Sequence, residues 1–493
     1  MTDPVALPFR STVRRAVQIM PRWTILLATA LLVRALTFGN PILHVDEEFY
    51  FAAARAMVHG AVPYVDVWDR KPVGLFLLYW PAAALGVPLG IWAYQAMALA
   101  SVTLTALLIA RLADRAGWAK GALPAALAYL LWLNLLEGEG GQTPVFYNLL
   151  MVGAAALLAP RGDDAAQPGR RFGHGCAAMA LVGLSLQIKY TVVFEGLFFG
   201  LWWMWRERRL GRPRRHVLAL ALPLAVLAAL PTLAAWGWFA AHGFNDAFVF
   251  ANFQSIGARG GDPLHRQIGN FAVLLLILSP LIVMATLAAR LPGAHGVEAR
   301  MRRWLASWAI VAALGVIVFG AYFDHYGLPL LVPFCACAAG FFAKDRRAAR
   351  VTVPILAVVL LASQIILLAK QHNRGTPAQF RAITQVIGQG PGCLYVFSGS
   401  SMYYGYADRC VPTRYLFSSH LVAKREQGAI GVDQQAEIER ILALRPEIVV
   451  AGPTYLDERK DLRTLFTRLV ARDYRQRADL PLGKGRVVVY ARR

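Results

Sequence analysis

Charged residues are scarce in this chain of 493 residues, and acidic residues are the scarcer kind. Asp, Glu, Lys and Arg make up 16% of the sequence, whereas a soluble globular protein averages about a quarter. Cysteine is rarer still, with 5 residues in all. This composition excludes an ordinary soluble enzyme, a disordered chain and a disulfide-rich secreted module.

Apolar residues dominate instead, since they make up 57% of the chain and the mean hydropathy is +0.45. Many apolar runs reach about 18 residues, which is the length that crosses the hydrocarbon core of a bilayer. The sequence therefore predicts a polytopic α-helical membrane protein. The apolar segments cover roughly residues 23–38, 74–89, 91–110, 119–136, 144–160, 174–188, 190–205, 217–240, 268–289, 304–322, 326–343 and 351–369.

The distribution of charge predicts how these segments are oriented. The 51 basic and 29 acidic residues give a net charge of +22, and the basic residues crowd into alternate gaps such as 111–120 and 206–215. Basic loops stay in the cytoplasm, so the basicity is a topology signal and does not indicate a nucleic-acid partner. The alternation holds if segment 74–89, which Pro81 and Pro88 interrupt, lies at the outer interface. We then expect about eleven spans, an uncleaved first span and a cytoplasmic N-terminus.

The composition changes after about residue 370, where charges mix with shorter apolar runs. Alternating strand and helix patterns predict a small extracytoplasmic α/β domain over 370–493, which follows a membrane domain over 1–369. Cys393 and Cys410 lie in this outer domain and are expected to form a disulfide, with two free thiols as the alternative. The strands are expected at 393–399, 447–452 and 486–491, and the helices at 433–445 and 457–474.

The first outer loop, residues 39–90, stands out because the outer loops otherwise hold little charge. Its sequence HVDEEFY places Asp46 and Glu47 beside the end of the first span, and an Ala-rich stretch follows. We expect this stretch to form an amphipathic helix on the membrane surface, with Asp46 near its cap. Arg70 and Lys71 come later in the loop, just before the proline-interrupted segment.

These residue types suggest a chemistry at the boundary between water and lipid. A carboxylate there can act as a general base on a hydroxyl group. Cations in the same loop can hold a lipid-linked phosphate, on which negative charge develops as it leaves. The combination suits a lipid-phosphate substrate and a polar acceptor. A helix cap with surface salt bridges is the alternative that the spacing alone leaves open.

The stretch DEEFYFAAARAMVHGAVPY, followed by Lys71-Pro72, resembles the first-loop motif of the GT-C glycosyltransferases that use polyprenyl-phosphate sugars. The resemblance is to the protein O-mannosyltransferases and the lipid A aminoarabinose transferase in particular, and it implies a GT-C fold with outer interfacial helices. It implies that Asp46 is the catalytic carboxylate, with Glu47 beside it, and that Lys71 contacts the donor phosphate. The sequence departs from the aminoarabinose transferase at Val73-Gly74, which leaves the sugar and the acceptor open.

Further candidates lie elsewhere in the outer segments, where the family often carries an acidic residue, a Gly then a Lys, or a His-Tyr pair. Each has a structural alternative, namely a Gly-rich turn, a snorkelling lysine, a solvated connector or an interfacial Tyr belt. Besides Lys71, the residues expected to bind the donor phosphate are Arg70, Lys189, His325 and Tyr326. The residues expected to bind the acceptor or the sugar are Tyr50, Glu137, Glu139, Arg259 and His265.

Together these features predict an inverting glycosyltransferase that moves a sugar from a polyprenyl phosphate, such as undecaprenyl phosphate, to an acceptor hydroxyl. The acceptor would be a lipid such as lipopolysaccharide, a cell-envelope glycan or a protein, at the outer face of a bacterial inner membrane with the C-terminal domain in the periplasm. No cofactor is expected beyond the lipid-linked co-substrate, and a divalent metal is not expected, although the acidic cluster could hold one. A transporter or a lipid-linked glycan flippase is the alternative, and a ligase or polymerase that acts on a diphosphate-linked glycan is a third class.

Overall fold

The computed structural model describes residues 20–292, 294–455 and 457–493. The basic residues before Met20, which support a cytoplasmic N-terminus, lie outside the described residues. The described chain is mostly helical, with one small sheet near its C-terminal end. In chain order the α-helices are α1 (Arg22–Arg34), α2 (Val45–Val58), α3 (Val73–Ala84), α4 (Leu89–Arg115), α5 (Ala119–Trp132), α6 (Thr143–Leu158), α7 (Pro168–Leu186), α8 (Val193–Arg209), α9 (Arg214–Ala241), α10 (Asn245–Val249), α11 (Ser255–Ala258), α12 (Leu264–Ala289), α13 (Gly296–Phe319), α14 (Leu328–Ala343), α15 (Arg346–Arg374), α16 (Pro377–Ile387), α17 (Met402–Ala407), α18 (Ser419–Val422), α19 (Gln434–Ala443) and α20 (Lys460–Asp473).

Within the described residues, 7 helices are long and apolar enough to cross a membrane, judged by length and composition. The other four predicted spans coincide with α1, α6, α7 and α8, which are shorter or less apolar. The 13 residues of α1 extend about 20 Å, whereas the hydrocarbon core is about 30 Å thick. The helical membrane architecture is therefore confirmed. The number of described helices that meet this criterion of length and composition is 7, which is lower than the expected number of about eleven spans. The candidate spans are Leu89–Arg115, Ala119–Leu136, Arg214–Ala241, Leu264–Ala289, Gly296–Phe319, Asp324–Ala343 and Arg350–Ile387.

The first outer loop folds into the packed helices α2 and α3. Helix α2 begins after His44, whose Nδ1 accepts the backbone N–H of Asp46 (3.1 Å). Its first turn is acidic, which suits the positive end of the helix dipole. The prediction that α2 lies on the membrane surface is wrong, because residues 47–54 are all buried. Helix α17 of the C-terminal domain packs against α2 and covers part of it.

The C-terminal domain contains a four-stranded sheet in the order β1-β2-β4-β3. Strands β1 and β2 are parallel, whereas β4 pairs antiparallel with both β2 and β3. Strand β3 is absent from the sequence-based expectation, because it is an edge strand whose mostly exposed sequence, YRQRADLPL, has little apolar signal. Cys393 and Cys410 are joined by a disulfide next to β1. The strands are β1 (Leu394–Ser398), β2 (Ile448–Ala451), β3 (Tyr474–Leu482) and β4 (Gly485–Arg492).

Candidate active site

Asp46 is a partly shielded carboxylate in the first turn of α2, with 19% of its side chain exposed. The side-chain amide of Gln142 donates to its Oδ2 (3.3 Å). Burial disfavours its ionised form, but Lys71, His44 and His325 more than compensate, and the pKa of Asp46 lies well below its usual value. Asp46 is therefore a carboxylate anion throughout the physiological pH range.

Two lysines from different elements converge near this carboxylate. Lys71 precedes α3 and Lys189 follows α7. The backbone at the start of α3 packs closely against the backbone at the end of α7, which brings the two lysines near each other. A Cβ atom at Gly74 would lie 2.5 Å from the Cβ of Gln187, so only glycine lets α3 pack this tightly against the segment that carries Lys189. The Gly74 position, which departs from the family pattern, thus has a packing reason.

The two lysines differ in charge state because their surroundings differ. Burial lowers the pKa of Lys71, but the negative charges of Asp46 and Asp69 outweigh this and leave that pKa above its ordinary value. Burial, reinforced by repulsion from Lys71, lowers the pKa of Lys189 to about 7. The ammonium of Lys189 lies 4.0 Å from the ring centroid of Tyr326, which gives it a cation–π partner in place of water. An anionic ligand would favour the charged form of both lysines.

Glu137, in the second outer loop, connects that loop to the 323–326 segment through contacts with His44 and His325 at the same site. Its backbone is left-handed (φ 60°), and one oxygen, Oε2, lies 3.1 Å from Nε2 of His44 and 3.1 Å from Nδ1 of His325. Burial raises its pKa, but the hydrogen bonds from His325 and His44 have the larger combined effect and hold that pKa far below normal. Lys370 adds a cation 3.8 Å from Oε1. Glu137 thus orients both imidazole rings as a permanent anion.

His44, Glu137 and His325 place three potential metal-ligand atoms within 4.8 Å of one another. Nδ1 of His44, however, lies within hydrogen-bond distance of the Asp46 backbone N–H (3.1 Å) and of the Gln142 amide nitrogen (2.7 Å), an arrangement that suits the ring tautomer with its proton on Nε2. In the neutral ring Nε2 then carries the proton and donates to Glu137, which leaves that nitrogen no lone pair for a metal. The hydrogen-bond pattern favours a proton-ordered network over a metal centre.

A buried arginine of α1 holds the second outer loop in place. Arg34, with 2% of its surface exposed, donates to the backbone carbonyls of Gly138, Glu139 and Gly140. The Glu139 side chain pairs with Lys370 (2.6 Å) and is buried in that contact. Glu139, a predicted sugar ligand, is therefore engaged in anchoring the loop that presents Glu137.

Glu47 points away from Asp46, toward the second outer loop. Its carboxylate packs against Gly140, and the backbone N–H of Gly141 is a nearby hydrogen-bond donor that only partly offsets its burial. Burial raises the pKa of Glu47 to about 7. The adjacent carboxylates of the DEE motif thus differ in state, since Asp46 is ionised while burial favours the protonated form of Glu47.

The remaining candidates from the sequence fall into three groups. Tyr50 is buried beside the site, with the Lys71 ammonium 5.9 Å from its ring centroid. Arg70 and Arg259 both pair with one carboxylate of the C-terminal domain, as described below. His265 is exposed near the start of α12, and no described contact links it to the site.

An apolar cavity of about 830 Å³ lies close to both lysines in the chain. Its walls include Val73 and Gly74, next to Lys71, and Gln187 and Ile188, next to Lys189. Exposed side chains among its lining residues would face lipid if α3 and α7 border the membrane. These side chains are Leu77, Trp80, Leu184 and Trp238.

Several residues of the site were missed in the sequence. His44 lies two residues before Asp46, at a position where a polar side chain can cap the helix that follows. Arg34, inside a predicted span, carried a signal as well, because charged residues within spans are rare and usually functional. Gln142 and Lys370 had no signal apart from their places at the ends of helices.

Solved structures of other membrane enzymes are similar in fold to this chain. The crystal structure of ArnT from Cupriavidus metallidurans bound to undecaprenyl phosphate aligns with 94% of this chain and 97% of its own, with TM-score 0.67 and 15% identity. The apo state of the same protein aligns over the same shares, with TM-score 0.62 and 16% identity. The apo oligosaccharyltransferase from Archaeoglobus fulgidus aligns with 87% of this chain and 69% of its own, with TM-score 0.50 and 11% identity. No family model and no curated protein sequence matches the chain. The structural agreement covers nearly the whole chain and shows that the fold is shared.

Proposed function

Starting from the GT-C fold that the chain shares with these enzymes, we propose that it is an inverting glycosyltransferase that uses a polyprenyl-phosphate sugar. The reaction takes place at the outer face of a bacterial inner membrane, with about eleven spans, a cytoplasmic N-terminus and a periplasmic domain over 370–493. The acceptor is a hydroxyl group of a lipid, a cell-envelope glycan or a protein. One observation carries the proposal: an ionised Asp46 lies beside Lys71 and Lys189, and residues near both lysines in the chain line an apolar cavity.

Donor binding follows from the polarity of this arrangement. The polyprenyl chain occupies the apolar cavity, and its burial supplies binding energy in proportion to the area removed from water. The phosphate then lies between the ammonium groups of Lys71 and Lys189. His325 and Tyr326 border the same position, which places the sugar between this cation pair and Asp46.

The transfer step is a single displacement. The acceptor hydroxyl gives its proton to the carboxylate of Asp46 while its oxygen forms a bond to the anomeric carbon. The bond between that carbon and the phosphate oxygen breaks, and polyprenyl phosphate departs with the electron pair. Lys71 and Lys189 stabilise the charge on the departing phosphate. The configuration at the anomeric carbon inverts because the acceptor attacks opposite the leaving group.

Donor binding also adjusts the base. In the free protein Asp46 is weakly basic, because nearby cations hold its pKa low. A bound phosphate offsets the charges of Lys71 and Lys189, so the pKa of Asp46 rises toward the ordinary aspartate range. We therefore infer that the donor binds before the acceptor is activated.

The proposed function is tested with purified protein and a panel of polyprenyl-phosphate sugars with candidate acceptors. We expect one glycosylated product, identified by mass, and an equal amount of released polyprenyl phosphate. A transporter or flippase would move the lipid-linked sugar across vesicles without releasing polyprenyl phosphate. Transport without release would therefore overturn the enzyme assignment.

The protonation of Lys189 predicts a pH-dependent affinity for the donor lipid. Lys189 is charged below about pH 7 and loses its proton above it, so the affinity for a short-chain polyprenyl phosphate should fall between about pH 7 and about pH 9. Lys189→Arg keeps its charge over this range and should remove most of the decrease. Both proteins are titrated with the same lipid at each pH, so that ionisation of the phosphate itself cancels. Equal pH profiles for the two proteins would contradict the assigned role of Lys189.

A further inference from the structure

The C-terminal domain encloses the short segment of the first outer loop that ends at Lys71. The backbone N–H of Trp68 donates to the carbonyl of Arg414 (2.9 Å). The indole ring of Trp68 lies against Tyr415 and His420 of the same domain, with ring centroids 5.6 and 4.8 Å apart. This segment is therefore built into the C-terminal domain although it belongs to the membrane domain in sequence.

Asp69, the next residue, also attaches this segment to the C-terminal domain. Its Oδ1 accepts the backbone N–H of Lys71 (2.8 Å), and its Oδ2 lies 3.5 Å from Nε2 of His420. Burial lowers the pKa of His420 to about 4, so this ring is neutral at physiological pH. A residue of the C-terminal domain thus borders the carboxylate that caps the Lys71 backbone.

Arg70 makes the third of these attachments. Its Nη2 lies 2.7 Å from Oε2 of Glu426 and donates to the carbonyl of Ala429 (3.2 Å), while its Nε donates to Ser255 (2.7 Å). The other Glu426 oxygen, Oε1, accepts from Nε of Arg259 (2.7 Å). One carboxylate of the C-terminal domain therefore binds an arginine from each of two outer loops.

Glu426 is suited to this task because it is buried and ionised. Only 3% of its side chain is exposed. Burial raises its pKa, but the positive charges beside it, which at neutral pH are those of Arg70 and Arg259, lower it below the ordinary glutamate value. Nε and Nη2 of Arg70 are both engaged in this way, which favours an anchoring role for Arg70 over the phosphate-binding role expected from the sequence, whereas Arg259 is held through Nε.

We propose that Glu426 is a positioning residue for donor binding, and that the C-terminal domain thereby forms part of the donor site. Glu426 fixes Arg70, and the next residue, Lys71, is held from its other side by Tyr64, whose hydroxyl donates to the Lys71 carbonyl (2.9 Å). With its backbone fixed at both points, Lys71 directs its ammonium toward Asp46. This inference rests on the proposed function, since it assigns Lys71 to the donor phosphate.

The test measures binding of a short-chain polyprenyl phosphate to the full-length protein. We expect Glu426→Gln to weaken binding by roughly tenfold, the size of effect seen when the outer hydrogen-bond partner of a metal ligand is removed. Arg70→Gln should weaken binding to a similar extent, and the double variant should be no worse than either single variant, because both break one coupling. Turnover should show a raised KM for the donor with a smaller change in kcat.

Glu458→Gln is the matched control. Glu458 is equally buried, at 3% exposure of its side chain, and pairs with Arg463 inside the C-terminal domain (2.5 Å). The Glu458→Gln variant should lose about as much thermal stability as Glu426→Gln, while its affinity for the lipid remains unchanged. Glu426→Gln with wild-type affinity, or equal losses of affinity in both variants, would overturn the inference. A wild-type protein that does not bind polyprenyl phosphate would overturn the proposed function together with it.

Discussion

Asp46→Asn is expected to reduce the rate of sugar transfer by about 10²- to 10⁴-fold, the contribution typical of a general base. The amide keeps the shape of the side chain, so α2 and its contacts remain. It removes the negative charge beside Lys71, so the affinity for polyprenyl phosphate should stay the same or increase. Kinetics should therefore show a large loss in kcat without a higher Kd for the lipid, and the two quantities are measured separately by turnover and by titration.

Asp66→Asn provides the control for this substitution. Asp66 lies in the same loop but is exposed, and its Oδ2 accepts the backbone N–H of Val62, a contact that an asparagine oxygen can also make. The rate of this variant should remain within about twofold of wild type. Transfer at near-wild-type rate by Asp46→Asn, with Asp66→Asn unchanged, would remove Asp46 from the role of base.

The membrane helices were predictable from the sequence because their apolar runs are long and are bounded by basic residues. All eleven predicted spans coincide with helices, although four of these helices are short or only moderately apolar. The burial of α2 was not predictable, because its apolar and polar residues fit either a membrane surface or a protein interface. What decides between the two is the position of the C-terminal domain, which depends on contacts between distant parts of the chain.

The residues of the candidate site divide in the same way, into those that a local sequence motif reveals and those that only contacts between distant parts of the chain bring to the site. Asp46 and Lys71 were found because they lie in one loop and carry a recognisable motif. Arg34, Gln142 and Glu426 were missed because they come from three other parts of the chain, and a single Arg, Gln or Glu has no pattern of its own. Their importance arises from burial and from the partners that the fold supplies.

The function of Arg70 illustrates how this changes an assignment. In sequence it adjoins Lys71, so both were expected to hold phosphate. In three dimensions the guanidinium of Arg70 faces Glu426, whereas the ammonium of Lys71 lies near Tyr50 and Asp46. Arg70 and Lys71 lie in a bend, where the side chains of adjacent residues diverge, so the contacts of Arg70 anchor the loop and Lys71 remains the proposed phosphate ligand.

Lys71→Met is expected to reduce kcat/KM for the donor by about 10²- to 10³-fold, the cost typical of removing one group that stabilises charge in the transition state. The same change should leave a second signature in the pH profile. Lys71 is the strongest cationic influence on Asp46, so its loss raises the pKa of Asp46, and it also removes the repulsion that lowers the pKa of Lys189. The acidic limb of the kcat/KM profile should therefore move to higher pH, and the loss of donor affinity should begin at higher pH.

Lys71→Arg and Lys424→Met separate this role from general effects of charge. Lys71→Arg retains the cation, so it should restore the position of the acidic limb even if the larger guanidinium binds phosphate less well. Lys424 is exposed on the C-terminal domain, and Lys424→Met removes one positive charge without touching the site. If Lys71→Met lowered kcat/KM while the acidic limb stayed in place, Lys71 would act on the phosphate alone, and its electrostatic coupling to Asp46 would be absent. A shift of the acidic limb together with the loss of kcat/KM would show that the Lys71 ammonium group serves both the leaving phosphate and the base. This double role would explain why one loop holds Asp46 and Lys71 close together.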